Sequence, residues 1–357
     1  MRIFLPLVIL VVVAISYGYQ SNDVVKENTT HQTKPLQVKT HRYKSDTQRY
    51  HFDIRTVHAQ IPYASNMRLS DVHTEVRHLI VAIHSSSYNP DTYLNNALSL
   101  FESGATDSGK TLIVAPAFFR KDKTKLSDIV TWDVSPFWGS SRASYHKEKV
   151  ELSAYEVLDD LLRRIIGSKN FPNLSDIVIL GHSAGGQMVT RYAACNTIED
   201  TEALKHHISM RYLVMAPSSY LYMDGRRAKR SDHTVFEFPF GAHKQYNNWG
   251  YGLKHLYAYH KRNHITADNI RWNYKYRKVL YLVGELDTKD FALDKSKSAM
   301  LEGSNRLERM EIYYDYLKTC YGDEITDHHS MSVVPHVGHS GRALMHSAEG
   351  RKFILGQ

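Results

Sequence analysis

The segment Gly181-His182-Ser183-Ala184-Gly185-Gly186 is where residue types and spacing in this chain first point to chemistry. A serine hydroxyl is a poor nucleophile until a base removes its proton, and the base needs an acid to orient it. The pattern G-x-S-x-G alone is a weak signal, arising by chance about one time in ten in a chain of this length at ordinary glycine and serine usage. Its setting makes it specific. The apolar run DIVIL leads straight into it and the helical pattern QMVTRYAA follows, so Ser183 sits on a strand-turn-helix corner. Such a corner strains the backbone and needs small residues two before and two after the serine, which Gly181 and Gly185 supply. A plain glycine-rich turn between a strand and a helix is the alternative, and the complete setting weighs against it.

A base and an acid must follow in the order serine, acid, histidine. Asp287 ends the apolar run VLYLVGELD, where a carboxylate would stand at the carboxyl edge of a sheet. Rival acids are Glu285, Asp290 and Asp294, with Asp224 as an outside candidate after the preceding strand. With 21 histidines in the chain, a histidine near the end means little by itself. His339 is selected by its place in the loop VPHVGHS, after an apolar strand and before the helical segment GRALMHSAEG. His336 is its close rival, and His328 and His329 lie before that strand. Backbone N–H groups must hold the oxyanion of an acyl-transfer intermediate. Ala184 would give one, and Ser86 in the turn IHSSS the other, with Ser85 replacing the glycine usual at its position. His260 and His264 are four apart, yet no third ligand stands at a useful spacing and no H-E-x-x-H occurs, so neither a metal nor a cofactor is expected.

These residues need a sheet to carry them. The period-2 stretch RYHFDIRTV reads as an early antiparallel strand, and RHLIVAIHSS and TLIVAPAFF as strands buried on both faces. Helical spacing runs through PDTYLNNALSLFES. The segment from Leu152 to Gly167 is the best-marked helix, with Ser153 and Glu156 as a capping box and Leu158, Leu161, Leu162 and Ile165 on one face. RYLVMAP, KVLYLVGELD and the weaker HSMSVVPHVGH complete the strands. Strands alternating with helices predict an α/β protein with a parallel, doubly wound sheet. Residues 218–277 break the alternation, are crowded with aromatics, and read as a cap inserted over the site.

The chain has 357 residues, of which 42% are hydrophobic and 23% charged, as in folded globular proteins. The N-terminal MRIFLPLVILVVVAISYGYQ has one positive charge, an apolar run of residues 3–15, and small residues before a cut after Gly18, which marks residues 1–18 as a signal peptide. That run is shorter than the ~20 residues of a spanning helix, so no stable membrane anchor is expected after cleavage and the protein is expected outside the cytoplasm. Residues 19–47 are a polar, flexible lead-in, and residues 48–357 form the folded domain. The net charge of +8 is scattered apart from a short basic cluster at residues 226–230, so no nucleic-acid module is indicated. Cys195 and Cys320 are the two cysteines, and spacing does not say whether they pair.

The strings LSAYEVLDDLL, FPNLSDIVILGHSAGGQMVTRYA, MAPSSYLYMDGRR, YNNWGYGL, YLVGELDT and VPHVGHS, with Leu293, Asp294 and Ser296, cover most of the chain from residue 77 onward. On them the sequence resembles a group of secreted bacterial and fungal α/β-hydrolases. The resemblance implies an α/β-hydrolase fold and a triad of Ser183, Asp287 and His339. It suggests that PSSYLY and YNNWGYGL line the acyl or leaving-group pocket, and it favours a small-molecule or lipid-like ester as the substrate. A peptidase or amidase of the same fold, and a catalytically silent binding protein, are the competing readings. N-terminal sequencing of exported protein should return a chain beginning near Tyr19; a chain beginning at Met1 would make the apolar run an anchor.

Overall fold

The fold comes from a computed structural model that describes residues 42–102 and 108–356. The signal-peptide reading of residues 1–18 and most of the lead-in lie outside the described residues. The end of the lead-in is tied down: the Tyr43 N–H donates to the Ser65 carbonyl at 2.8 Å, and the Ser45 hydroxyl to Asp91 at 2.5 Å.

In chain order the strands are β1 (Arg49–Ile54), β2 (Val57–Ser65), β3 (His78–Ile83), β4 (Thr111–Pro116), β5 (Phe119–Arg120), β6 (Thr131–Trp132) and β7 (Arg142–Tyr145). They continue as β8 (Glu148–Glu151), β9 (Asp176–His182), β10 (Ser209–Met215), β11 (Arg227–Lys229), β12 (Asp232–Glu237), β13 (Lys278–Gly284) and β14 (His329–Val334). The helices are α1 (Pro90–Leu98), α2 (Ala154–Gly167), α3 (Ala184–Cys195), α4 (Ala258–Arg262), α5 (Ala267–Tyr276), α6 (Arg306–Tyr321), α7 (Gly341–His346) and α8 (Ala348–Leu355). Eight strands form the main sheet in the order β1-β2-β4-β3-β9-β10-β13-β14. The β1–β2 and β2–β4 pairs are antiparallel and every later pair is parallel. The apolar runs of β3, β4, β9, β10 and β13 are buried almost throughout, because helices cover both faces of a parallel sheet.

Strands β3 and β9 are neighbours whose chains leave in opposite directions, β3 toward β4 and β9 toward β10. Such a switch point opens a crevice at the carboxyl ends of the two strands. The turn at Ser85 and Ser86 follows β3, and Ser183 follows β9, so both face that crevice.

Three segments differ from the sequence reading. RYHFDIRTV is not one strand but β1, a turn and the start of β2, with Ile54 paired to Val57. Arg55 takes φ 56° in that turn, and without a glycine or asparagine there the hairpin carries no signal. The stretch between β4 and α2, which periodicity left unread, folds as a second sheet of β5, β6, β7 and β8, whose strands are too short to show a period. Residues 218–277 hold the hairpin β11–β12, outside the main sheet, together with α4 and α5. Tyr220 and Tyr222 at the start of this interval are buried against Tyr313 and Tyr316 of α6.

Helix α2 begins one residue after its cap. The Ser153 hydroxyl accepts the Tyr155 N–H at 3.2 Å, and Glu156 accepts the Ser153 N–H at 2.8 Å. Both cysteines are free thiols. Among the described residues no helix is long and apolar enough to cross a membrane.

Two acids are sealed in the core. Asp159 on α2 accepts the hydroxyls of Tyr192 at 2.6 Å and Tyr259 at 2.9 Å, and burial pushes its carboxyl up to about 7. Glu302 accepts the Tyr220 N–H at 2.8 Å and is pushed up by burial to about 8, with Arg227 and Arg309 pulling the other way. Both folded values lie above the ordinary ones of 3.8 and 4.5, so the native state keeps protons that the unfolded chain has released. The contribution of these groups to stability is therefore fullest below pH ~4 and is lost as pH rises through 7 to 8. Urea unfolding from pH 5 to pH 8 should show this decline, at most about 1.4 kcal/mol per pH unit for one group. Asp159→Asn should flatten the slope; an unchanged slope would show that Asp159 does not titrate in this window.

Candidate active site

Ser183 takes φ 56° and ψ −117°, between the last residue of β9 and the first of α3. The turn closes only because its neighbours lack side chains. A Cβ on Gly181 would lie 2.5 Å from the Gly185 backbone, and one on Gly185 would lie 2.4 Å from the Ile83 carbonyl oxygen. The Ser183 N–H donates to the Met215 carbonyl at 2.8 Å, which locks the corner to the end of β10. Ala184 opens α3, so its N–H is among the donors that the helix itself leaves unmet.

The loops after β13 and β14 are joined by backbone contacts. Glu285 N–H donates to Val334 at 3.0 Å and Leu286 N–H to Val337 at 2.8 Å. A Cβ on Gly284 would fall 2.1 Å from the Val337 oxygen, so the approach depends on that glycine. This junction puts His339 Nδ1 at 2.7 Å from Asp287 Oδ2. The Asp287 carboxylate is 1% exposed and the His339 side chain 22%. An ionised carboxylate only accepts, so Nδ1 carries the proton and Nε2 is left as the basic nitrogen. The His182 ring packs 4.3 Å from that of His339, bringing the residue next to Ser183 against it. Burial, with the charges of His339 and Arg306, holds His182 well below the ordinary histidine range, so this neighbour stays neutral.

The rival residues are held by other partners. The His336 side chain is 92% exposed and the backbone N–H of His336 donates to the Glu285 carboxylate at 2.8 Å, so these two pair with each other. Asp290 pairs with Lys295 at 2.5 Å, and Asp294 accepts the Tyr251 hydroxyl at 2.6 Å. Asp224 is held by Arg226 at 2.7 Å and by the Tyr316 hydroxyl at 3.1 Å. His260 is a core residue packed on Trp249.

Sequence reasoning missed Arg306. Its Nη1 stands 3.5 Å from Asp287 Oδ1, both side chains are 1% exposed, and Nη2 donates to the Ala292 carbonyl at 2.7 Å. It therefore ties Asp287 to the loop whose Leu293 and Asp294 line the crevice. An arginine opening a helix looks like surface charge in a sequence, and no pattern singles it out.

His84 shapes the turn after β3. It is fully buried, and burial pushes it down to about 4. Its Nε2 accepts the Phe118 N–H at 2.9 Å, so Nδ1 is the nitrogen that donates, to the Ser85 carbonyl at 2.8 Å. Ser86, Ser183 and Ala184 line one cleft of about 380 Å³, walled by Tyr88, Phe137, Trp138 and Gln187. Ser85 turns its hydroxyl to that of Ser87 at 3.0 Å. Of the interval 218–277 only Ser218 lines this cleft, while Trp249 and Tyr251 support Trp138 from behind.

No protein-family model matches the sequence, and no curated protein matches it. Solved structures do. The poly(3-hydroxybutyrate) depolymerase LpqC from Bordetella parapertussis aligns over 87% of this chain and 88% of its own, with a TM-score of 0.58 and 18% identity. Poly(aspartic acid) hydrolase-1 from Sphingomonas sp. KT-1 aligns over 86% of this chain and 98% of its own, with a TM-score of 0.55 and 16% identity. The chain has the α/β-hydrolase fold. At these identities the likeness is one of fold.

Because the Asp287–His339 contact rests on Gly284, a methyl group there should push the two loops apart. If this pair serves Ser183 as base and acid, Gly284→Ala is expected to lower turnover of an activated ester about a hundredfold or more with the circular dichroism spectrum retained. An unchanged rate would show that the loops tolerate the methyl group.

Proposed function

We propose that the protein is a serine hydrolase that cleaves a carboxylic ester through an acyl-enzyme on Ser183, with His339 as general base and Asp287 as its orienting acid. The observation that carries this reading is the 2.7 Å contact between a buried Asp287 and His339 Nδ1, beside a strained Ser183 corner. Ser183 Oγ attacks the ester carbonyl while His339 Nε2 takes its proton. The negative oxygen of the tetrahedral intermediate is held by the N–H groups of Ala184 and Ser86. His339 then protonates the departing alkoxide, water replaces the alcohol, and the same histidine activates that water to release the acid. Asp287 keeps Nδ1 protonated and stabilises the imidazolium formed in each half-reaction. No step calls for a metal or cofactor. The preference for an ester rests on the sequence resemblance. The two structural neighbours are named for an ester polymer and an amide polymer, so matched ester and amide substrates decide that point. An N-terminal signal peptide would place the reaction outside the cytoplasm.

Ser183→Ala should abolish ester hydrolysis and labelling by a fluorophosphonate while the protein stays folded; near-wild-type turnover would remove Ser183 from the mechanism, and a wild type that neither turns over esters nor labels would be a silent binding protein. Asp287→Asn should lower turnover on the order of 10⁴-fold by favouring the wrong tautomer of His339. Glu285→Gln should cost far less. If Asp224→Asn were the crippling change and Asp287→Asn the mild one, the acid would belong after β10 instead.

A further inference from the structure

A second cavity, of about 570 Å³, adjoins the Ser183 cleft and shares Ser135 and Trp138 with it. Trp138 is a fixed partition between the two. Its indole N–H donates to Gln187 Oε1 at 2.7 Å, the Tyr251 ring meets it edge-on at 5.1 Å, and the Arg191 guanidinium lies 5.1 Å from its ring. Gly250 passes so close that a Cβ there would sit 2.9 Å from the indole. A half-buried aromatic held this firmly presents a flat apolar surface at little entropic cost.

The far cavity is lined by two charged residues, Arg142 and Glu151. Glu151 faces Arg142 across the β7–β8 ladder, but its carboxylate goes to Arg262 at 2.7 Å. Arg262 also takes Glu156 at 2.7 Å. Asp133, whose N–H donates to the Arg142 carbonyl at 3.0 Å, accepts the Ser144 hydroxyl at 3.3 Å. Among the described residues no carboxylate stands within ion-pair distance of the exposed Arg142 guanidinium. The Ser183 cleft has an arginine too, Arg120, but its Nε and Nη2 donate to the two carboxylate oxygens of Asp122, which offsets its charge. Arg142 is thus the arginine of this double cavity that no carboxylate neutralises, and Tyr257 in the same lining offers a phenolic hydroxyl. One planar guanidinium fork plus one hydroxyl donor suits a carboxylate; a phosphate dianion would call for more positive charge.

We infer that the substrate is an extended ester whose reacting bond lies at Ser183, whose middle crosses Trp138, and whose far end carries a carboxylate held by Arg142. This rests on the serine-hydrolase reading and names the substrate class of that site. Two probe series test it: p-nitrophenyl half-esters of straight-chain dicarboxylic acids, with the charge on the acyl side, and acetate esters of ω-hydroxy acids, with the charge on the leaving group. Each is paired with the neutral carboxamide of the same length. In one of the series, at one chain length, kcat/KM for the carboxylate should exceed that for its carboxamide partner about tenfold, the scale of one charge-assisted contact. The ratio should fall to about one in Arg142→Gln and below one in Arg142→Glu, and because it is taken within each variant, a general loss of activity does not affect it. A wild-type ratio near one in both series, or a preference that survives Arg142→Gln, would overturn the inference. A wild type inert to p-nitrophenyl acetate and to fluorophosphonate would overturn the serine-hydrolase reading as well, whereas acetate turnover without any carboxylate preference overturns this inference alone.

Discussion

The corner at Ser183 is held at a positive φ by backbone packed directly on backbone, and the rest of the carboxyl edge is arranged around that contact. Such a conformation costs a non-glycine residue on the order of 1–3 kcal/mol and persists only when its surroundings over-determine it. Here β9 is fixed between β3 and β10, the Ser183 N–H is anchored on Met215, and Gly185 lies against the end of β3. The same device recurs two strands away, where Gly284 lets the loop bearing His339 lie on the turn bearing Asp287. In both places a missing Cβ sets a distance that side-chain packing alone would not hold.

Around this edge, charge is distributed by burial. Arg306 stands behind Asp287, and its Nη groups also donate to the carbonyls of Phe291 and Ala292 and to Ser218, so the carboxylate, the cleft-lining loop and α6 are held as one unit. His182 and His84 flank the Ser183 corner and the turn after β3 and both are driven neutral by burial, whereas the His339 side chain packed on His182 is 22% exposed. His84 and His182 thus serve as packing and as hydrogen-bonding struts around the residues proposed to react.

The strands of the parallel sheet were legible because a strand buried on both faces is written as an unbroken apolar run, as in LIVAI and DIVIL. The capping pair of Ser153 and Glu156 was legible because a cap is a local pattern. The first hairpin was not, since Arg55 and Thr56 carry none of the residues that announce such a turn. The small sheet of β5–β8 was not, because strands of two to four residues contain no period. At the site, sequence position put forward Ser183, Asp287 and His339, but spacing cannot give the 2.7 Å contact between the last two, and it gave no sign of Arg306, whose role depends wholly on what folding buries beside it. The aromatic interval showed its apolar character without showing its place. Its Trp249 and Tyr251 reach the cleft by bracing Trp138, a residue from a different segment.

The central claim is that an acyl group resides covalently on Ser183 during turnover, with His339 controlling its formation. Rapid acid quench of the enzyme reacting with an activated ester, followed by peptide mass spectrometry, addresses it most directly. The account predicts an acyl mass shift on the peptide containing Ser183 in the wild type, and its absence on the same timescale in His339→Ala. Turnover with no adduct, an adduct on another residue, or equally fast acylation without His339 would contradict it.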